Sequence, residues 1–107
     1  MIKMVDLLVR KEGTTHEEFA DYWLNEHSEI AKELPGLRKY VTSVPKDPEK
    51  AGYDGHLELY FDSTADMKAA FNSEQGERVM ADAAEFLDLD QGPTLVVEET
   101  VQLDDTE

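Results

Sequence analysis

Two groups of residues in this sequence are of the right type to move protons. The first is a single histidine, His27, on the apolar stripe Phe19, Trp23, His27, Ile30, Ala31 and Leu34 of the run Thr15 to Gly36. An imidazole near its ordinary pKa of ~6.5 takes or gives a proton close to neutrality. One turn after Trp23, it would sit in a partly dry cleft as a general acid/base. It would equally serve as a core histidine that caps a strand carbonyl and holds helix to sheet. The second group is His56, Glu58 and Tyr60, which alternate along an expected strand and so share a face. Asp6 is expected beside them on a neighbouring strand. Buried together, the four would form an acid/base cluster with displaced pKa values. As a water-filled interior or a hydrogen-bonded subunit seam, they would need only to satisfy one another, which is the simpler reading.

Other chemistries find less support. The chain has no cysteine, which removes disulfides, thiolate nucleophiles and cysteine-based zinc sites. A metal at His27 is not expected, because its helical neighbours Trp23, Leu24, Ile30 and Ala31 cannot ligate. His16 is three turns away, about 16 Å at ~1.5 Å per residue, against Zn–N distances of ~2 Å. No phosphate-binding glycine loop is present, and none of Ser28, Ser43, Ser63 and Ser73 lies in a G-x-S-x-G elbow. No cofactor is therefore expected. Trp23, Tyr22 and Phe86 read first as core; if the cleft is a site, Trp23 and Phe86 are its walls. Asp82 reads as an exposed charge paired with Arg78 one turn earlier, and Glu98 and Glu99 as charges that protect a sheet edge.

The elements that must position these residues are legible from periodicity. Ile2 to Val9 reads as a buried strand. Thr15 and Glu18 form a capping box that starts one long helix, which Pro35-Gly36 ends. Leu37 to Val44 reads as a second strand, and Pro45 to Gly55 as the one long loop. Leu57 to Phe61, preceded by His56, is a third strand. Ser63-Thr64-Ala65-Asp66 caps a short helix that pauses near Ser73 to Gly76 and resumes through Val79, Ala83 and Phe86. Leu95 to Leu103 is the last strand. The order β-α-β-β-α-β is the ferredoxin-like arrangement, an α+β fold with a four-stranded antiparallel sheet and both helices on one face. Residues 1–103 are expected to form the single domain and residues 104–107 an acidic tail.

The first and third strands should be central. Val5, Leu7 and Val9 are expected to join Leu57, Leu59 and Phe61 under the helices. Ile2, Met4, Asp6 and Leu8 would then join His56, Glu58 and Tyr60 on the opposite face. That second face is too apolar to be left wet, so a two-fold homodimer with the sheets face to face is expected.

Charge narrows the partners. The 107 residues hold 25 acids against 10 lysines and arginines, a formal net charge of -15 spread along the whole chain. Such a surface repels phosphate backbones, so nucleic acid is not an expected partner. It matches the acidic surface of a halophilic protein, whose repulsion is screened to within a few ångströms at high salt. No apolar run approaches the ~20 residues of a membrane span, and Met1 leads straight into a strand without a signal-peptide pattern. A cytoplasmic location without membrane contact is the expectation.

In the order of its pieces the chain resembles the EthD family of the dimeric α+β barrel superfamily. The resemblance is carried by Ile2-Lys3-Met4-Val5, by the Arg10-Lys11-Glu12-Gly13 turn and, most specifically, by Glu18-Phe19-x-x-Tyr22-Trp23-x-x-x-His27. Leu34-Pro35-Gly36-Leu37-Arg38-Lys39-Tyr40-Val41, Tyr53-Asp54-Gly55, Glu58-Leu59-Tyr60-Phe61-Asp62-Ser63, Asp82, Phe86 to Asp88 and Glu98-Glu99 follow in sequence. Position 60 is Tyr where such proteins often carry Trp. The resemblance implies the fold, the dimer and a pocket for a small organic ligand. It also implies, for some members, isomerisation or dehydration of a carbonyl intermediate without a cofactor. In that reading His27 is the acid/base, Glu58 or Tyr60 orients the substrate, and Trp23, Asp6, His56 and Phe86 line the pocket. The pocket would lie either between helix and sheet, near His27, or inside the dimer barrel, near Glu58. Two alternatives share the scaffold. One is a non-catalytic ligand-binding or stress-response dimer. The other is a haem-dependent monooxygenase-like barrel with His27 or His56 as axial ligand.

Overall fold

The computed structural model describes residues 1–106. Four antiparallel strands, β1 (Ile2–Leu8), β2 (Lys39–Ser43), β3 (Gly55–Phe61) and β4 (Thr94–Glu98), form one sheet in the order β2-β3-β1-β4. β1 and β3 are central, as the sequence predicts. The helices are α1 (His16–Tyr22), α2 (Ser28–Ala31), α3 (Pro48–Ala51), α4 (Thr64–Phe71) and α5 (Glu74–Phe86). A π-helical turn, Trp23–His27, joins α1 to α2. The expected long loop thus contains the single turn α3. The last strand stops at Glu98, five residues short of its expected end.

The expected single helix is correct in place and wrong in winding. Thr15 and Glu18 make the predicted reciprocal capping box. Past Tyr22 the helix widens, and the Ser28 N–H donates to the Trp23 carbonyl five residues back. The buried residues explain the change. Phe19, Trp23, His27 and Ala31 are all buried and lie four apart. At 3.6 residues per turn, each four-residue step drifts by about 40° around an α-helix. A wider turn absorbs that drift and keeps His27 and Ala31 on the face that Phe19 and Trp23 begin.

The register of the central pair overturns one expectation. Met4 pairs with Leu59 and Asp6 with Leu57, while Val5 pairs with Glu58 and Leu7 with His56. Directly opposite residues share a face. Ile2, Met4, Asp6 and Leu8 therefore lie under the helices with Leu57, Leu59 and Phe61, and Lys3, Val5 and Leu7 share the open face with His56, Glu58 and Tyr60. Alternation within β1 was legible, but its phase against β3 was not. Both sets in β1 are mostly apolar, so hydrophobicity alone does not select one.

The core sits between this face and the helices. Trp23, Phe19 and Phe61 are its largest fully buried side chains. Gly55 opens β3 because the Trp23 indole occupies the space of a side chain: a Cβ there would fall 2.6 Å from Trp23 Cζ3.

Candidate functional site between helices and sheet

His27 leaves the π-turn with its side chain buried against α5. Its Nδ1 lies 2.7 Å from Asp82 Oδ2, and the Tyr22 hydroxyl donates to the other carboxylate oxygen at 2.5 Å. Phe86, one turn after Asp82, places its ring centroid 5.0 Å from those of both His27 and Tyr22. An ionised carboxylate only accepts. His27 Nδ1 therefore carries the donated proton, and Nε2 is left as the ring nitrogen available for exchange. Hydrogen bonding to Asp82, reinforced by burial, pushes the Tyr22 phenol up to about 12, so Tyr22 stays a neutral donor. One carboxylate thus fixes the tautomer of the imidazole and is itself held by a second donor.

A cavity of about 170 Å³ lies between helices and sheet, lined by His27, Asp6, Tyr40, Leu57, Leu59 and Val79, among others. It is small beside the ~300–1,000 Å³ of drug-sized sites. The Asp88–Gly92 segment borders it, tied to the end of β1 by Asp88 N–H to the Val9 carbonyl and by Leu7 N–H to the Pro93 carbonyl. Burial raises the pKa of Asp6 above the ordinary carboxylate range, and a hydrogen bond from the Thr94 hydroxyl offsets part of that rise. Burial also pushes the Tyr40 phenol up to about 12.

The sequence-predicted site residues divide between the two sides of the sheet. His27 and Asp6 line the cavity, and Phe86 packs on the imidazole. Trp23 lies deeper, with its side chain fully buried beneath Gly55. His56, Glu58 and Tyr60 alternate with the cavity residues of β3 and sit on the open face. Glu58 there accepts from Lys3 Nζ, which also donates to Glu99 at 3.0 Å. The Lys3 and Lys39 ammoniums lie 5.4 and 5.0 Å from the Tyr60 ring centroid. The expected grouping of Asp6 with Glu58, His56 and Tyr60 is therefore incorrect, and so is the grouping of His27 with Glu58 and Tyr60. The sheet stands between them.

Asp82 is the residue that sequence reasoning misplaced. It is not an exposed partner of Arg78; it is the hydrogen-bond partner of His27 and Tyr22. Its position one turn before Phe86, beside the buried stripe of Val79, Ala83 and Phe86, was the available signal. Among the described residues no group of three or more His, Cys, Asp or Glu could hold a metal ion, and no helix is long and apolar enough to cross a membrane.

A sequence model of the EthD domain matches residues 11–90. No curated protein matches the chain. Among solved structures, an ethyl tert-butyl ether D (EthD) family protein from Bacillus halodurans superposes with a TM-score of 0.79 at 22% identity, covering 94% of this chain and 99% of that one. A dimeric ferredoxin-like protein of unknown function from Thermobifida fusca gives 0.72 at 14% identity, over 90% and 88%. SnoaB, a cofactor-independent oxygenase from Streptomyces nogalater, gives 0.66 at 9% identity, over 99% and 97%. At these identities the likeness establishes the ferredoxin-like fold.

Proposed function

The chain belongs to the EthD family, and on that premise we propose that it binds a small, mostly apolar carbonyl compound in the helix–sheet cavity and shuttles a proton on it through His27. The observation that carries this reading is the Asp82 bond at 2.7 Å behind His27, which itself lines a mostly apolar cavity. A carboxylate that holds Nδ1–H orients the ring and stabilises the imidazolium formed when Nε2 takes a proton. In the reaction, Nε2 removes a proton from the carbon next to the carbonyl. The C–H electrons form a carbon–carbon double bond, and the carbonyl oxygen takes the negative charge. The imidazolium then returns the proton to another carbon, giving an isomer, or to a departing hydroxyl, giving water and an unsaturated product.

The cavity is sized for a small molecule rather than a macrocycle, which disfavours the haem reading. The second reading is a non-catalytic binding protein, which the mostly apolar lining of the same cavity would equally serve. The working unit is proposed to be a homodimer through the open sheet face. That face exposes Leu95 beside Val5, while the Lys3–Glu58 pair neutralises its charge. The Thermobifida fusca neighbour is itself described as dimeric. The acidic surface suits a high-salt milieu.

The test is conversion of a β,γ-unsaturated cyclohexenone to its conjugated isomer, followed by absorbance. Wild type is expected to accelerate it, and His27→Ala to lose about 10²-fold or more of that rate, the usual contribution of a positioned acid/base. Asp82→Asn should fall by a similar factor while still binding the ketone, because an amide no longer enforces the tautomer. Equal rates in wild type and His27→Ala, with both folded, would remove His27 as catalyst and leave the binding protein.

A further inference from the structure

Among the described residues, two buried side-chain polar atoms find no partner among the protein's own atoms: the Tyr40 hydroxyl and the Trp23 indole nitrogen. Folded proteins pair nearly all such atoms, so an exception calls for a reason. Burial raises the Tyr40 phenol and the Trp23 N–H offsets part of that rise, which puts the two groups near each other but short of a hydrogen bond. Tyr40 lines the cavity. It sits on β2 opposite Leu59, on the same face as Asp6. Among the other polar side chains there, His27 Nδ1 is engaged by Asp82, Asp6 Oδ1 by Thr94 and Asp88 by Gln91, which leaves His27 Nε2 as the acid/base. An indole N–H can only donate, and a neutral phenol is a donor as well as an acceptor. A phenol O–H without a partner at the wall of a mostly apolar cavity, with the indole N–H behind it, is suited to an oxygen that accepts.

We propose that the Tyr40 hydroxyl, backed by the Trp23 N–H, is the oxygen-binding pole of the cavity. It holds the carbonyl or phenolic oxygen of a ligand whose hydrocarbon part lies against Leu57, Leu59 and Val79. This rests on the reading of the cavity as a ligand site and deepens it by naming the group that receives charge when His27 takes a proton. Preorganised donors aimed at a developing oxyanion are the usual means of stabilising an enolate. Tyr40 stays protonated at neutral pH, as a donor must, because burial pushes its pKa up to about 12.

The probes are para-nitrophenol and para-nitrotoluene, which share a shape and differ in the oxygen. Wild type is expected to bind para-nitrophenol more tightly and to hold it as the coloured phenolate below the pH at which it ionises in water. Tyr40→Phe should weaken para-nitrophenol by about tenfold or more, the scale of a hydrogen bond to a charged oxygen. It should leave para-nitrotoluene within about twofold and melt no lower than wild type, since it deletes an unpaired buried group. If para-nitrophenol binds wild type and Tyr40→Phe equally, or if both probes weaken together in the variant, the pole is wrong and the cavity reading stands. A variant that melts well below wild type shows a hydroxyl already satisfied within the fold and overturns the pole. Failure of both probes to bind wild type overturns the pole and the cavity reading together.

Discussion

At the scale of single residues, burial of carboxylates should set the acid and neutral limits of stability in opposite directions. Asp54 accepts from the Arg10 backbone N–H at 2.9 Å and from Arg10 Nη1 at 2.7 Å, with His16 Nδ1 2.8 Å away. Burial pushes its carboxyl up, but the Arg10 hydrogen bonds and charge outweigh this and hold it below the ordinary range. A depressed folded-state pKa gives stability that is present above the unfolded value of ~3.9 and is lost as pH falls through the folded one. Asp6 has the opposite sign: its burial-raised pKa favours the folded state at low pH, and that contribution is lost as pH rises. Thermal melts should show Asp54→Asn destabilised by about 1–3 kcal/mol at neutral pH, with a shallower acid limb. Asp6→Asn should be at least as stable as wild type at neutral pH. A wild-type-like acid limb in Asp54→Asn would mean that the Arg10–Asp54 contacts do not set acid stability. Single residues were also where the sequence was least legible. His27 declared itself through its stripe. Asp82 did not, because its partners are 55 and 60 positions away and helical spacing reveals only neighbours on the same helix.

At the scale of elements, most of the fold was readable because each segment carries its own start and stop. Thr15, Ser63 and Ser73 cap their helices through side-chain oxygens, accepting from Glu18, Asp66 and Gly76. The phase of β1 was not readable, because it depends on pairing with residues 47 to 59 positions away. The winding of the first helix was partly written in its four-residue spacing, yet that spacing is also tolerated by an ordinary helix over two turns. The contact between the first helix and β3 gives a direct test. Gly55→Ala places a methyl 2.6 Å from one indole atom and 3.2 Å from the Phe19 ring, and neither aromatic has free space. A loss of about 1–3 kcal/mol or more is expected from overpacking, measured by denaturant unfolding, together with a weaker His27–Asp82 bond as Trp23 is displaced. Unchanged stability in Gly55→Ala would show that the indole is looser than this packing implies.

At the scale of the whole molecule, charge and the open sheet face dominate. With a net charge of -15, the folded state is opposed by its own repulsion. Raising salt from ~0.01 M to ~1 M shortens the screening length from ~30 Å to ~3 Å and should raise the melting temperature. A flat or falling profile would mean that the acids are already balanced locally. Over the same series, sedimentation should report the mass of two copies, more completely at high salt where the copies repel less. Leu95→Asp, on the open face and already 58% exposed in one copy, should leave the protomer folded and yield single copies. A wild-type association profile in that variant would place any dimer contact elsewhere.

The alternation of β3 has an evolutionary consequence. Leu57 and Leu59 line the cavity and Phe61 lies in the core on the same face, whereas His56, Glu58 and Tyr60 lie on the open face. The same alternation runs through β1, with Met4 and Asp6 inward and Lys3 and Val5 outward, and through β2, with Tyr40 inward and Lys39 and Val41 outward. Alternate codons of one strand therefore encode two different faces. With a ligand in the cavity and a second copy on the open face, as proposed, one could change while the other is kept, so long as no insertion or deletion shifts the count. A single-residue indel in β1 or β3 would exchange the two faces at once.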